Sequence, residues 1–555
     1  MSAGTHTFGL HETLIEPQVL PPPPTRHALL AFVLTLAAIL HIGTASWSDI
    51  HNGAEGYYAG SARELLDANA TPARRDSPLL SWLLVGSYKT FGTTAMAARL
   101  PIALAMVAAV AFTFLIGERI AGFWRGFVAA LIHLCSLGAF VWGRLVTPDP
   151  LLAAFVGGAI FCGLSGYQRQ QTRLLWFAGV AAFAALACLT RGLAGAFYIA
   201  AIFVLLAVLF REARLRFRLI LHWPYILIFL AIILPWPLWQ HFHSLAAVNA
   251  SLSAFEWLMP HSVDGVSLAQ FLLQHLVWWF PGLLLVLPGV CLGLRKIVRP
   301  HEFELADALP LCWITVGFIP LLFCGGRQDY HSVAMWSALA LWIACAWDRT
   351  SPGFRIAGLA LAALFATGVI VCAASGALPV LVPGAAWAAL KWMIILMGSL
   401  FIVSTGVSIY FAAHGRETVA ITVLFLAMVP IGFSVAEGMV RFDRQFSLAG
   451  AVAFLETRLG DHGEVLYEGT PMSGSSLRFY LDRPFSIVAE EPGLDAREAS
   501  LSPDVALERF ASTHPLYLIT NKDRVSYWQE HLTERFHIYH QETTCGSHVV
   551  VSNQP

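Results

Sequence analysis

The stretch LLWFAGVAAFAALACLTRGLAGAFYIAAIFVLLAVLF, residues 174–210, decides the fold. A bilayer core about 30 Å thick needs roughly 20 apolar residues per helix. Arg191 and Gly192 cut this apolar run into two pieces of about that length. It therefore reads as two membrane spans (172–190 and 193–210) joined by a very short loop, with an arginine at the water boundary.

The same window recurs along the chain near 27–46, 96–117, 122–142, 150–168, 219–239, 272–294, 307–325, 332–347, 354–375, 388–412 and 418–437. That gives about thirteen spans of the length a bilayer requires. Composition agrees, since 57% of the 555 residues are apolar and 12% are charged. The charged share is about half that of an average soluble protein, so lipid must solvate much of the surface. A net charge of −1, with no basic tail, leaves no field to attract nucleic acid. Eight of the nine cysteines lie in apolar runs, and no disulfide framework or zinc spacing can be built from the set.

Lys and Arg in the short loops set the orientation. Arg119, Arg125, Arg169, Arg173, the cluster REARLRFR (211–218), RKIVRP (295–300), Arg349, Arg355 and Arg416 share one side. The 240–270 loop on the other side has neither residue type. The N-terminus is therefore expected in the cytoplasm, and with an odd number of spans the C-terminus is outside.

Three regions follow. Residues 1–26 are polar and proline-rich and read as a disordered cytoplasmic tail. Residues 27–440 form the transmembrane domain, with a first outer loop at 47–95. Residues 441–555 have the composition of a soluble domain. In that last region EVLYEG, FSIVAE, PLYLITN, FHIYHQ and HVVVSN read as strands, and 447–459, 503–512 and 523–532 have helical periodicity. The fold class expected is a polytopic α-helical membrane protein with a small extracytoplasmic α/β domain.

On this topology the unusual polar residues gather outside. Glu55, Tyr57, Tyr58, Arg74, Arg75, Asp76, Arg144, Asp149, Arg191, Arg327, Asp329, Tyr330 and His331 all fall on the outer face, which suggests an enclosed polar site at the membrane surface. Glu55 has two compatible readings. It stands three residues after Asn52, the spacing of a capping box. It also shares a helix face with Tyr58, Ala62 and Leu66, and a carboxylate against apolar surface has a raised pKa suited to a general base. Asp149 precedes Pro150, an N-cap arrangement, with Arg144 upstream on the same loop to help organise a phosphate or cation. Arg191 reads either as a snorkelling side chain or as a contact for an anionic lipid head group. In GGRQDYH (325–331), Arg327 and Asp329 read as a surface pair or as part of the site. No DxD motif supplies a ligand pair for a phosphate-bridging ion, so a divalent cation stays open as a cofactor and no other is expected.

Several stretches, in this order and on this topology, resemble the C-type membrane glycosyltransferases, in particular the protein mannosyltransferase and lipid A aminoarabinose transferase family. GAEGYYAGSARELL is similar to that family's first outer loop and helix, SPLLSWLL to its proline-leucine-leucine segment, GRLVTPDPLL to its aspartate-proline motif and LTRG to its Leu-Thr-Lys-Gly stretch. SSLRFYLDRPFSIV and PLYLITNK are similar to the outer domain of some bacterial members. The resemblance implies transfer of a sugar from a polyprenyl phosphate carrier to a glycolipid, glycan or protein acceptor, at the outer face of a bacterial inner membrane. It implies Glu55 or Asp49 as the base and Asp149 as the group orienting acceptor or sugar. Arg74, Arg75, Arg144, Arg191 and Arg327 would hold the phosphate, and Tyr58, Tyr330 and His331 would line the sugar pocket. The chain departs from the pattern at Ala54, where the family has the first acid of a pair, and at Asp76, where it has a lysine. Two rival functions follow: a derived protein that binds the lipid carrier without turnover, and a transporter.

Overall fold

The computed structural model describes residues 23–66, 78–168, 173–243, 266–285, 304–376, 384–460, 463–489, 500–512, 514–536 and 538–554. Among them seven helices are long and apolar enough to cross a membrane, or eight if the bent pair Arg211–Leu221 and Trp223–Ile233 is one span. The two pieces of the deciding stretch are the helices Arg173–Arg191 and Leu193–Leu209, which meet at Gly192 with φ 60°. A left-handed residue with no Cβ lets the chain reverse in one step. Of the expected tail, residues 1–22 lie outside the described residues, as does the end of the 272–294 span, whereas residues 23–26 belong to the helix Pro23–His41 and are not a disordered tail.

Close backbone approach holds the bundle together. A Cβ on Gly117 would sit 2.7 Å from Gly126 Cα, so the helices Ala95–Ala121 and Phe123–Leu134 cross backbone against backbone. At one end of the bundle the charges pair among themselves: Arg26 with Glu118 (2.5 Å), Arg349 with Asp307 (2.7 Å) and Arg355 with Glu417 (2.6 Å). These belong to the arginine-bearing end of the sequence reading. The polar loops at the opposite end are the ones that meet the C-terminal domain.

That domain is built on a six-stranded sheet in the order β3-β2-β1-β4-β6-β5. The strands are β1 Glu464–Glu468, β2 Ser486–Val488, β3 Ser500–Leu501, β4 Leu516–Asn521, β5 His540–Cys545 and β6 His548–Ser552. β3, β2, β1 and β4 are parallel, whereas β6 runs antiparallel to both β4 and β5. Alternation along the strands feeds two cores. Val465, Tyr467 and Ile519 pack on one face with the helix Ala449–Arg458, while Leu466, Leu518 and Trp528 pack on the other. FHIYHQ, read as a strand at 536–541, begins its strand only at His540, because the helix Val525–Phe536 runs through its first residue.

Candidate functional site

The helix Ala54–Glu64 lies against the C-terminal domain through two glycines. A Cβ on Gly56 would fall 2.6 Å from Ser475 Oγ, and one on Gly60 would fall 2.5 Å from Arg478 Cβ. The small-x-x-x-small spacing of Gly56 and Gly60 is the signal that could have revealed this contact from sequence. Asn52 does not cap the helix as expected. Its side-chain oxygen accepts from Ser476 N (3.0 Å) and Oγ (2.6 Å), and Gly53 occupies the cap. His51 ties the same loop to the last membrane helix, Met428–Phe446, through Asp443 (2.7 Å).

Glu55 is buried at 2% exposure and is not a free carboxylate. Arg99, 1% exposed, grips it with both ends of a guanidinium fork, Nε to Oε1 at 2.8 Å and Nη2 to Oε2 at 2.9 Å. His51 N donates to the same carboxylate at 3.0 Å, and Val146 N approaches it at 3.4 Å. Burial acts to raise the pKa of Glu55, but the charge and hydrogen bonds of Arg99, helped by His51, overcome it and leave the carboxyl below its usual value. The expected raised pKa is thus corrected, because the apolar face that holds Glu55 also holds its counter-ion. Arg99 spends its remaining donors on the carbonyls of Ala45 (2.9 Å), Ser48 (2.6 Å) and Asp49 (2.6 Å). It fixes the entry to the first outer loop. An arginine in AARLP, inside an otherwise apolar helix, was a readable signal that the sequence reading passed over.

Asp49 is the less committed acid. It is half-buried, and burial, then the charge of Asp443, raise its carboxyl above the ordinary value against the pull of His51, Arg99 and Tyr480. Such a group can take up a proton where Glu55 cannot do so readily.

Asp149 opens the helix Asp149–Gln168 and is 2% exposed. Its Oδ2 accepts from Nη2 of Arg191, so Arg191 is an ion-pair partner and not a snorkelling side chain. The charge of Arg191 also reaches Tyr58, Tyr330 and His331. Five residues picked from sequence, Tyr58, Asp149, Arg191, Tyr330 and His331, are therefore neighbours. Burial pushes the Tyr330 phenol up to about 12 and, with Arg191, pushes His331 well down, so both rings are neutral at pH 7. Tyr330 meets Trp142 at a tilt (5.7 Å between centroids), and Trp142 meets Trp278 edge-on (5.6 Å). Neutral donors beside aromatic rings suit a polar ligand with apolar faces.

Arg144, 3% exposed, lies near Arg99, Glu55 and His41. Nη2 donates to the Thr44 carbonyl (2.5 Å), while Nε has no hydrogen-bond partner among the described residues. Burial and the nearby Arg99 lower its pKa to about 10, leaving it protonated at neutral pH. Both ring nitrogens of His41, Ser48 Oγ, Thr147 Oγ1 and Trp142 Nε1 also lack partners among the described residues. A buried cation with an unused donor is costly unless something fills the gap.

Two expectations are not met. Arg327 donates to the carbonyls of Leu321 (2.9 Å), Val266 (3.1 Å) and Leu322 (3.4 Å), so it ties the end of the helix Leu305–Phe323 to the Val266 segment with its donors already engaged. Arg327 does not pair with Asp329 in the geometry seen, as Asp329 Oδ2 accepts from Trp278 Nε1 (3.0 Å). Arg74, Arg75 and Asp76 lie outside the described residues. Among the described residues no group of three or more His, Cys, Asp or Glu is placed to hold a metal ion.

Residues 75–239 match the sequence model of a family described as dolichyl-phosphate-mannose-protein mannosyltransferase. Among solved structures, the chain is similar to ArnT from Cupriavidus metallidurans bound to undecaprenyl phosphate, at 18% identity and TM-score 0.78, over 95% of this chain and 98% of that one. The apo ArnT structure gives 18% identity and TM-score 0.75, over 96% and 98%. Archaeal oligosaccharyltransferase AglB from Archaeoglobus fulgidus, in complex with an inhibitory peptide and a dolichol-phosphate, gives 10% identity and TM-score 0.51, over 96% of this chain and 74% of that one. No curated protein matches the sequence. The fold is that of the C-type membrane glycosyltransferases, and the segment match supports the mannosyltransferase and ArnT group within it.

Proposed function

We propose that a chain with this fold and this segment match transfers a sugar from a polyprenyl-phosphate carrier to a lipid, glycan or protein hydroxyl at the extracytoplasmic face of the membrane. The observation that carries the reading is the buried guanidinium of Arg144, next to the Arg99–Glu55 pair, with an Nε that has no partner among the described residues. Arg99 is matched by Glu55 and Arg191 by Asp149, which leaves one positive charge and one free donor for an anionic ligand. A lipid phosphate is such an anion. ArnT, which shares the fold, was solved with undecaprenyl phosphate.

In the reaction, Asp49 removes the proton of the acceptor hydroxyl. The resulting oxygen attacks the anomeric carbon from the face opposite the carrier. The bond from that carbon to the phosphate oxygen breaks, and its electron pair leaves with the phosphate. Arg144 and Arg191 stabilise the departing charge, and Asp149 orients Arg191. Tyr58, Tyr330 and His331 bind sugar hydroxyls. Glu55 acts through Arg99, as a positioning residue for the loop that bears Asp49. The N-terminus is cytoplasmic and the sheet domain periplasmic or extracellular.

Replacing Arg144 with Gln tests the reading. Loss of a charge-assisted hydrogen bond, worth about 1.5–3 kcal/mol, should weaken polyprenyl phosphate binding by about 10- to 100-fold. Because an uncompensated buried cation is removed, thermal stability should hold or rise. Unchanged lipid affinity, or a stability loss as large as the affinity loss, would make Arg144 structural.

A further inference from the structure

The C-terminal sheet carries a cleft of its own. Its strand order places β2 and β3 on one side of β1 and β4 on the other, so the connections diverge at the β1/β4 junction. In open sheets of this kind, ligands bind in the crevice beyond the carboxyl ends of the strands where the winding reverses. A cleft of 940 Å³ lies there, between the ends of β1, β2 and β4 on one side and Asn52, Gly53, Gln445 and Phe446 on the other.

The floor is charged but self-neutralised. Glu468, the last residue of β1, accepts from Arg524 Nε (3.0 Å), Trp528 Nε1 (2.7 Å) and Thr520. One wall is a fixed loop. Ser473 Oγ accepts from the Tyr467 hydroxyl (3.0 Å) and Thr470 N (2.9 Å), and Gly469, at φ 148°, leaves no room for a Cβ, which would meet Ser473 Oγ at 2.8 Å. Exposed above the floor are Thr470 and the Asn521 carboxamide, with the Phe446 ring and Met472 as apolar surface. No side chain here brings net charge, since the Glu468–Arg524 pair cancels and burial holds His548 below its usual value.

We propose that this cleft binds a neutral saccharide. A pyranose offers an apolar C–H face to an aromatic ring and hydroxyls to amide and hydroxyl partners, whereas a free anion would find no uncancelled cation. The ligand would lie next to Asn52, three residues from Asp49. The proposal goes beyond sugar transfer and stands on the cleft alone, so it can fail or hold independently of that reading.

The test is calorimetric titration of the full chain in lipid nanodiscs with cellobiose, mannobiose and diacetylchitobiose, using inorganic phosphate as a control. Saturable binding of at least one disaccharide is expected, weakened at least about ten-fold by Asn521→Trp and by Thr470→Trp. Asn521 is exposed and makes no cap hydrogen bond, so Asn521→Trp should leave the unfolding temperature unmoved, whereas Thr470→Trp also removes hydrogen bonds to Ser473. Asp49→Asn should keep the binding while losing transfer, which separates the two readings. Saturation by none of the three sugars, binding indifferent to both tryptophans, or displacement by phosphate would each overturn the proposal.

Discussion

Changing Asp49 to Asn is expected to cut sugar transfer by about 10²- to 10⁴-fold, the range a positioned general base contributes. The side chain is half-buried and its pKa is raised by burial and by Asp443. A base must be ionised to work, so turnover in the parent should fall as pH drops through a midpoint above about 3.9, the value of a free aspartate. Asp49→Asn should lower kcat with little change in binding of the lipid carrier, whose proposed contacts are Arg144 and Arg191. Full activity in Asp49→Asn would remove the base assignment. Carrier binding with no transfer in the parent itself would favour a protein that holds the lipid without turnover.

The helices were legible because a single physical demand, about 20 apolar residues per crossing, writes itself directly into composition. The paired-span reading around Arg191 needed nothing else. The polar cluster was legible for a related reason: ionisable groups are rare in a chain like this, and topology assigned them to one face. Tyr58, Asp149, Arg191, Tyr330 and His331 do meet, although they come from four separate stretches.

What sequence did not reveal is which charge answers which. Glu55 looked available because its helix face is apolar, but its partner, Arg99, comes from another helix and no spacing links the two. Arg327 looked like a phosphate ligand because the topology read from sequence puts it outside, yet two carbonyls at a helix end and that of Val266 claim it. Partner choice among buried charges is a tertiary property, and local periodicity carries no information about it.

Glu55→Gln should therefore act first on stability. Breaking one side of a buried pair leaves an uncompensated charge and costs about 3–5 kcal/mol. Arg99→Met should cost at least as much, since it also frees the carbonyls of Ala45, Ser48 and Asp49. The double variant Glu55→Gln/Arg99→Met should cost less than the sum of the two, because neither charge is then stranded. pH offers a second handle. The folded pKa of Glu55 lies below its unfolded value of about 4.3, so its contribution is complete above that value and is lost as pH falls through the folded pKa. Denaturant unfolding of the four proteins between pH 3 and 7 would measure both effects. Additive costs, or an acid transition unmoved by Glu55→Gln, would mean that the pair does not hold the loop. If the costs do couple, any transfer lost by Glu55→Gln should return in part at lower temperature, where the loop reforms, whereas that lost by Asp49→Asn should not.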